Sequence, residues 1–134
     1  MYFCGDVIIM DPCNLVKEEE DWEKVLTKEF DNVELEKIGI EHYMSFGAQG
    51  EGRAKVINDN GQVIGEFCTD STLFCILLLS DLLKYNKDFD DYNKYPGSCC
   101  VVSDFDGEIT LENEGDDSYK IVGKGKNSFF TEWI

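Results

Sequence analysis

The sequence predicts an α+β fold that is mostly antiparallel β, with about eight or nine strands in a sandwich or a partly open barrel. Three observations predict it. Two turn dipeptides, Asn60-Gly61 and Asp106-Gly107, each sit between apolar segments, as the tips of two-residue hairpins do. Short apolar runs separated by polar breaks recur along the chain. Only one long stretch, residues 17–30, has a clear helical period.

Tyr2 to Met10 is apolar except for Gly5 and Asp6, and reads as a strand buried on much of both faces. Asp11-Pro12 stops it, because proline brings no N–H to a ladder. In residues 17–30, Trp22, Val25, Leu26 and Phe30 form one apolar stripe. Glu18, Glu19, Glu20 and Asp21 crowd the first turn, where the helix dipole favours negative charge. This amphipathic helix is expected to cover a face or end of the sheet. From Gly39 to Phe46, Ile40, His42, Met44 and Phe46 alternate with Glu41, Tyr43 and Ser45, which predicts a strand. The glycine-rich loop at 47–52 lacks the Lys-Ser/Thr ending of a nucleotide loop.

Residues 54–83 carry the firmest local signals. A two-residue loop at Asn60-Gly61 sets Ile57 opposite Ile64, Lys55 opposite Glu66 and Ala54 opposite Phe67. A three-residue loop, Asp59-Asn60-Gly61, would slip the register and set Ala54 opposite Glu66; the first sorts the faces better. Thr69 to Thr72 is a polar corner. The run Leu73 to Leu79 is apolar on all sides, so its period does not separate strand from helix. Capped by Asp70 or Ser71, it would be a helix reaching Tyr85. Its length, and the fresh helix start at Ser80-Asp81, favour a buried central strand at 73–78 and a short helix near 80–86.

Residues 84–97 are polar and tyrosine-rich and end in a Pro96-Gly97 turn. Ser98 to Phe105 is expected to be a strand, turned at Asp106-Gly107 so that Val102 meets Leu111 and Ser103 meets Thr110. Asn113 to Asp117 is an acidic turn, and strands at 119–122 and 129–133 close the chain.

A length of 134 residues fits a single domain, 1–134, with a full core. An apolar fraction of 43% and an aromatic fraction of 13% mark a folded chain. The net charge of −16, from 28 acidic and 12 basic residues, argues against direct nucleic-acid binding, where neutralising phosphate dominates affinity. It also disfavours an anionic membrane surface. It fits a solvated surface, weak cation binding or a basic protein partner. The start has no basic n-region and no apolar run is long enough to span a bilayer. A cytoplasmic protein is therefore expected, with Cys4, Cys13, Cys68, Cys75, Cys99 and Cys100 reduced.

No metal or cofactor site is expected. The cysteine spacings do not match a zinc site. Asp104 to Ile109 resembles the middle of a calcium loop, but Val102 and Asn113 occupy two ligand positions. Asp88, Asp90 and Asp91 lack the glycine and terminal glutamate of such a loop; with Glu112, Glu114, Asp116 and Asp117 they allow weak, adventitious Ca²⁺ binding. His42 is the one histidine, so a small enzyme would use it with a cysteine or carboxylate, yet nothing local marks a nucleophile. Tyr85, Phe89, Tyr92 and Tyr95 stand among acids, as in a recognition patch; the alternative is that the rings close over core beneath a loop. Asp70 and Ser71 are the candidate polar corner.

Asp11-Pro12-Cys13, the acidic helix bearing Trp22, and the Thr69-Asp70-Ser71 corner before an apolar strand make up a pattern. It resembles small uncharacterised bacterial and phage proteins with an Asp-Pro-Cys-Tyr turn after the first strand. Here Asn14 replaces the tyrosine, and Thr72 the glycine that usually follows Asp-Ser. The resemblance implies a compact, mostly-β domain and brings no activity with it. The expected function is protein binding, with an antagonist of a basic partner as the role that suits the charge. The oligomeric state is left open.

Overall fold

The computed structural model describes residues 1–27, 32–47, 52–115 and 119–134. Eight strands form one antiparallel sheet: β1 (Tyr2–Met10), β2 (Tyr43–Gly47), β3 (Gly52–Asn58), β4 (Val63–Thr69), β5 (Leu73–Leu78), β6 (Cys99–Asn113), β7 (Tyr119–Lys126) and β8 (Phe129–Trp133). Their order is β2-β5-β1-β6-β7-β8-β3-β4. The sheet curls into a half-barrel, the partly open barrel rather than the sandwich. The short helices are α1 (Pro12–Leu15), α2 (Glu19–Val25), α3 (Leu79–Tyr85) and α4 (Asp91–Lys94), with a 3-10 turn at Leu35–Ile38.

Alternation along the strands divides the core in two. Phe3, Val7, Ile9, Phe67, Phe74, Val102, Phe105 and Phe129 fill the inside of the curl. Ile8, Met10, Leu73, Cys75 and Leu77 point the other way, under Leu15, Val25, Leu35, Leu82 and Phe89. β1 and β5 are therefore buried on both faces, which is why their sequences show no polar alternation. β5 occupies the expected 73–78 and pairs with β1 and β2.

The turn at Asn60-Gly61 corrects the expected loop. Asn58 N donates to Gln62 O at 2.9 Å, so the loop is the three residues 59–61. Gly61 has φ 78 while Asn60 does not turn positive, so the type I′ condition is not met. The Asn58 side chain decides this, its Oδ1 accepting from Asn60 N and Gln62 N, both at 3.0 Å. The slip does not propagate. A bulge at Ile64 sets Ile57 opposite Val63 and Val56 opposite Gly65, which restores Lys55 opposite Glu66 and Ala54 opposite Phe67.

The expected hairpin at Asp106-Gly107 is overturned. β6 runs straight through it for 15 residues, pairing with β1 and then with β7. Val102 meets Val7, not Leu111. Gly107 serves close approach, not a turn. It lies opposite Gly125, and a Cβ at Gly107 would collide with the Lys124 carbonyl oxygen.

The helix expected over 17–30 is shorter. α2 ends at Val25 because Leu26 is extended and bridges to Val33, with Glu34 N donating to Val25 O at 2.6 Å. Residues 28–30 of that expectation lie outside the described residues, as do 48–51 of the glycine loop and 116–117 of the acidic turn. Before α2, Asp11 and Pro12 open α1 instead of a plain turn. The strand expected from Gly39 begins at Tyr43, because Gly39 ends the 3-10 turn in a left-handed conformation, φ 90. α3 starts one residue before Ser80, with Leu78 at the N-cap and no side-chain cap.

Candidate functional site

The polar corner between β4 and β5 meets the end of β1. Asp11 is 1% exposed and its carboxylate gathers five donors. Oδ2 accepts from Thr69 Oγ1 at 2.9 Å and from the Asp70 and Ser71 amides, each at 2.8 Å. Oδ1 accepts from Ser71 Oγ at 2.7 Å and from Cys13 N at 2.8 Å. Burial works to raise the Asp11 pKa. The hydrogen bonds from Ser71 and Cys13 outweigh it and hold the carboxyl below its ordinary value. Of the expected corner residues, Ser71 contributes amide and hydroxyl, whereas Asp70 contributes its amide and exposes its side chain.

The next residue, Thr72, has φ 64. A β-branched side chain is strained there. The chain accepts the left-handed turn because it aims two amides at one carboxylate.

Asp11 itself was legible only as a strand-ending turn residue. What marks it is an Asp-Pro pair after a buried strand, together with the donor run Thr69-Asp70-Ser71 much later. The Asp11 carboxylate is engaged from within the protein and ties the corner to the end of β1, while the Asp70 side chain stays exposed beside it.

Five of the cysteines are held towards the neutral thiol. Cys13 lies beside Asp11, and burial together with that carboxylate pushes its thiol up to about 12. Burial pushes Cys99 up to about 11, Cys100 up to about 12, and Cys75 well above its ordinary value. Cys68 is also raised, by burial and by Asp70. All six are free thiols, and Cys4 alone is exposed. Among the described residues, no three His, Cys, Asp or Glu side chains converge to hold a metal ion. Asp104 and Asp106 lie along a continuous strand, so their backbone cannot wrap a cation as a calcium loop does.

His42 is exposed, not part of the apolar face with Ile40 and Phe46, which are buried. Nε2 donates to Tyr2 O at 2.7 Å, and the ring lies edge-on to Phe3 at 4.7 Å. It borders a hollow of about 390 Å³ with Glu41, Asp81, Lys84 and Tyr85, and no cysteine lines that hollow.

The four aromatic residues separate. Phe89 is buried, 6.1 Å from Tyr92 between ring centres. Tyr85 and Tyr92 are half-buried against the core beneath the helices, and Tyr95 is 62% exposed. The Tyr85 hydroxyl donates to Asp21 at 2.7 Å. Burial and the Asp21 carboxylate push its phenol up to about 12. A second hollow, about 330 Å³, lies beside it between Glu18, Asp21 and Asp88, with Lys17 and Lys87 also on its wall.

Charge is distributed unevenly. On the sheet, β6 acids face β7 lysines: Asp106 opposite Lys126, Glu108 opposite Lys124 and Glu112 opposite Lys120. Lys55 lies between Glu66 and Glu132 in the same way. On α2 and α3, Asp21 pairs with Lys24 and Asp81 with Lys84, while Glu18, Glu19, Glu20 and Glu23 are exposed and form no ion pair among the described residues. No described helix is long and apolar enough to cross a membrane. In comparisons with known proteins, no family model, no curated protein and no solved structure matches this chain.

Proposed function

We propose that the protein binds a basic protein partner through the acidic face made by α2 and the segment 81–91, with Tyr85 at its centre. The observation that carries this reading is the hydrogen bond from Tyr85 to Asp21. It ties two acidic segments, far apart in sequence, into one surface with a hollow on each side of the ring. An amphipathic ring held rigidly among carboxylates suits lysine and arginine side chains, by ion pairing and by cation–π contact. The sheet face, whose acids lie opposite lysines, lacks that surplus. An antagonist of a basic toxin or nucleic-acid enzyme is the role this surface fits.

The test is charge reversal at two places. Glu18→Lys, Glu19→Lys and Glu20→Lys together should weaken binding of an arginine-rich peptide by about tenfold or more. Reversal of Glu108 and Glu112 on the sheet should change it by less than about threefold. Equal losses from both variants would show that the attraction is diffuse and not seated at Tyr85.

A further inference from the structure

The tip of the β3–β4 hairpin is the most open turn of the sheet to water attack, and its sequence supplies the chemistry. Residues 59–64 are all exposed. Asn60 precedes Gly61, and no other asparagine in the chain precedes a glycine. Gly61 has no Cβ to screen its backbone nitrogen, and no neighbour takes the place of one: a Cβ there would meet nothing within 4 Å. Three other asparagines are tied down. Asn127 Nδ2 donates to Ser103 O at 3.2 Å and Asp104 O at 2.9 Å, and Asn93 Nδ2 to Asp90 Oδ1 at 2.7 Å. Asn32 Oδ1 accepts from Val33 N at 2.8 Å. Among the described residues, the Asn60 side-chain amide has no hydrogen-bond partner.

One residue restrains this turn. Gly61 N donates to Asn58 O at 3.0 Å, which occupies the proton that the nitrogen must lose before it can attack a carbonyl. Asn58 Oδ1 accepts from Asn60 N and Gln62 N, both at 3.0 Å, and Asn58 Nδ2 donates to Gln62 Oε1 at 3.2 Å. Asn58 thus clamps the loop from both sides. The bonds of its side chain are exposed, so the clamp opens locally while the β3–β4 ladder stays paired.

We propose that Asn60-Gly61 is a site of spontaneous deamidation, gated by the Asn58 clamp. When the clamp opens, the Gly61 nitrogen gives its proton to hydroxide and bonds to Asn60 Cγ. The Cγ–Nδ2 bond breaks, and the nitrogen leaves as ammonia with a proton from water. The five-membered imide then takes up water at either carbonyl, leaving aspartate or isoaspartate at position 60. Both products add a carboxylate to the turn. Isoaspartate also adds a carbon to the main chain, inside the loop that the Asn58 N to Gln62 O bond closes.

The test is peptide mapping of the full chain after storage of the native protein at mildly alkaline pH. Cleavage after lysine releases residues 56–84, and fragment masses place the amide-to-acid change within them. Conversion is expected at Asn60 before any other asparagine, and Asn60→Ser should abolish it. Asn58→Ala removes the acceptor for Asn60 N and Gln62 N and should speed conversion of the native chain by about fivefold. In urea, where no clamp exists, the parent and Asn58→Ala should convert at the same rate. An intact Asn60 after another asparagine has converted would overturn the site. Equal native rates for the parent and Asn58→Ala, or the same acceleration in urea as in the native chain, would overturn the gating.

Discussion

Thr69 Oγ1 donates to Asp11 Oδ2 at 2.9 Å, joining the end of β4 to the residue after β1 across 58 positions. In the sheet order these strands are separated by β6, β7, β8 and β3. The contact therefore closes the curl across its open side, where the strand ladder does not. The amides of Asp70 and Ser71 reinforce it, so the carboxylate replaces a stretch of missing backbone pairing.

Asp11→Asn should destabilise the protein by about 3 kcal/mol, because an amide cannot accept five hydrogen bonds and sets an NH₂ against buried donors. The pH dependence follows from the lowered carboxyl pKa. A group depressed on folding contributes stability above its unfolded value, near 3.8, and loses it as pH falls through the folded value. Urea melts should show the gap between the parent and Asp11→Asn as largest at neutral pH and shrinking below about pH 4. A constant gap would mean that Asp11 is held neutral.

Thr72→Gly should stabilise, against the usual trend for glycine substitutions. Relief of a β-branched residue at φ 64 is worth about 1 kcal/mol, partly offset by greater freedom in the unfolded chain. Thermal unfolding should shift upward by about 2–4 °C. Thr72→Ala keeps the strain and should give no such rise.

Gly107→Ala should be far more damaging than a substitution in a turn. Its Cβ would meet the Lys124 carbonyl, and Gly125 is pressed as closely against the Asp106 carbonyl. A loss of about 3 kcal/mol or more is expected, with Gly125→Ala similar and Gly115→Ala, which meets nothing within 4 Å, milder. Denaturant midpoints of the three variants check the order.

Thiol labelling should find one fast cysteine. Cys4 is exposed, whereas burial raises Cys13, Cys75, Cys99 and Cys100, and burial with Asp70 raises Cys68, so these five are held as thiols. Native protein at pH 7.5 should release about one equivalent rapidly in a disulfide-exchange assay, and Cys4→Ser should abolish it. Rapid reaction at Cys13 would contradict the raised pKa beside Asp11.

Legibility in the sequence followed the range of the deciding interaction. β1 and β5 have the expected bounds because β1 is an apolar run ended by Asp11, and β5 has strand length between the polar corner and the helix start next to Ser80-Asp81. The register of Lys55 with Glu66 was legible from the alternation of faces, although the loop that delivers it was not. Asp106-Gly107 misled because an Asp-Gly pair reads alike in a hairpin and in a strand that must pass close to another. Only the partner, Gly125 on β7, separates the two. α2 is cut short by Val33, a residue beyond the window that sets the helical period. The Asp11 clasp was invisible for the same reason: its acceptor and donors are local signals that acquire meaning when the fold brings them together.

The most direct test of basic-partner binding is the salt dependence of Kd for an arginine-rich peptide. If charge seated around Tyr85 carries recognition, Kd should rise steadily with salt, by about tenfold between roughly 50 and 200 mM, and the charge-reversed α2 variant should show a shallower slope. An affinity unchanged by salt, or identical slopes for the two proteins, would contradict it.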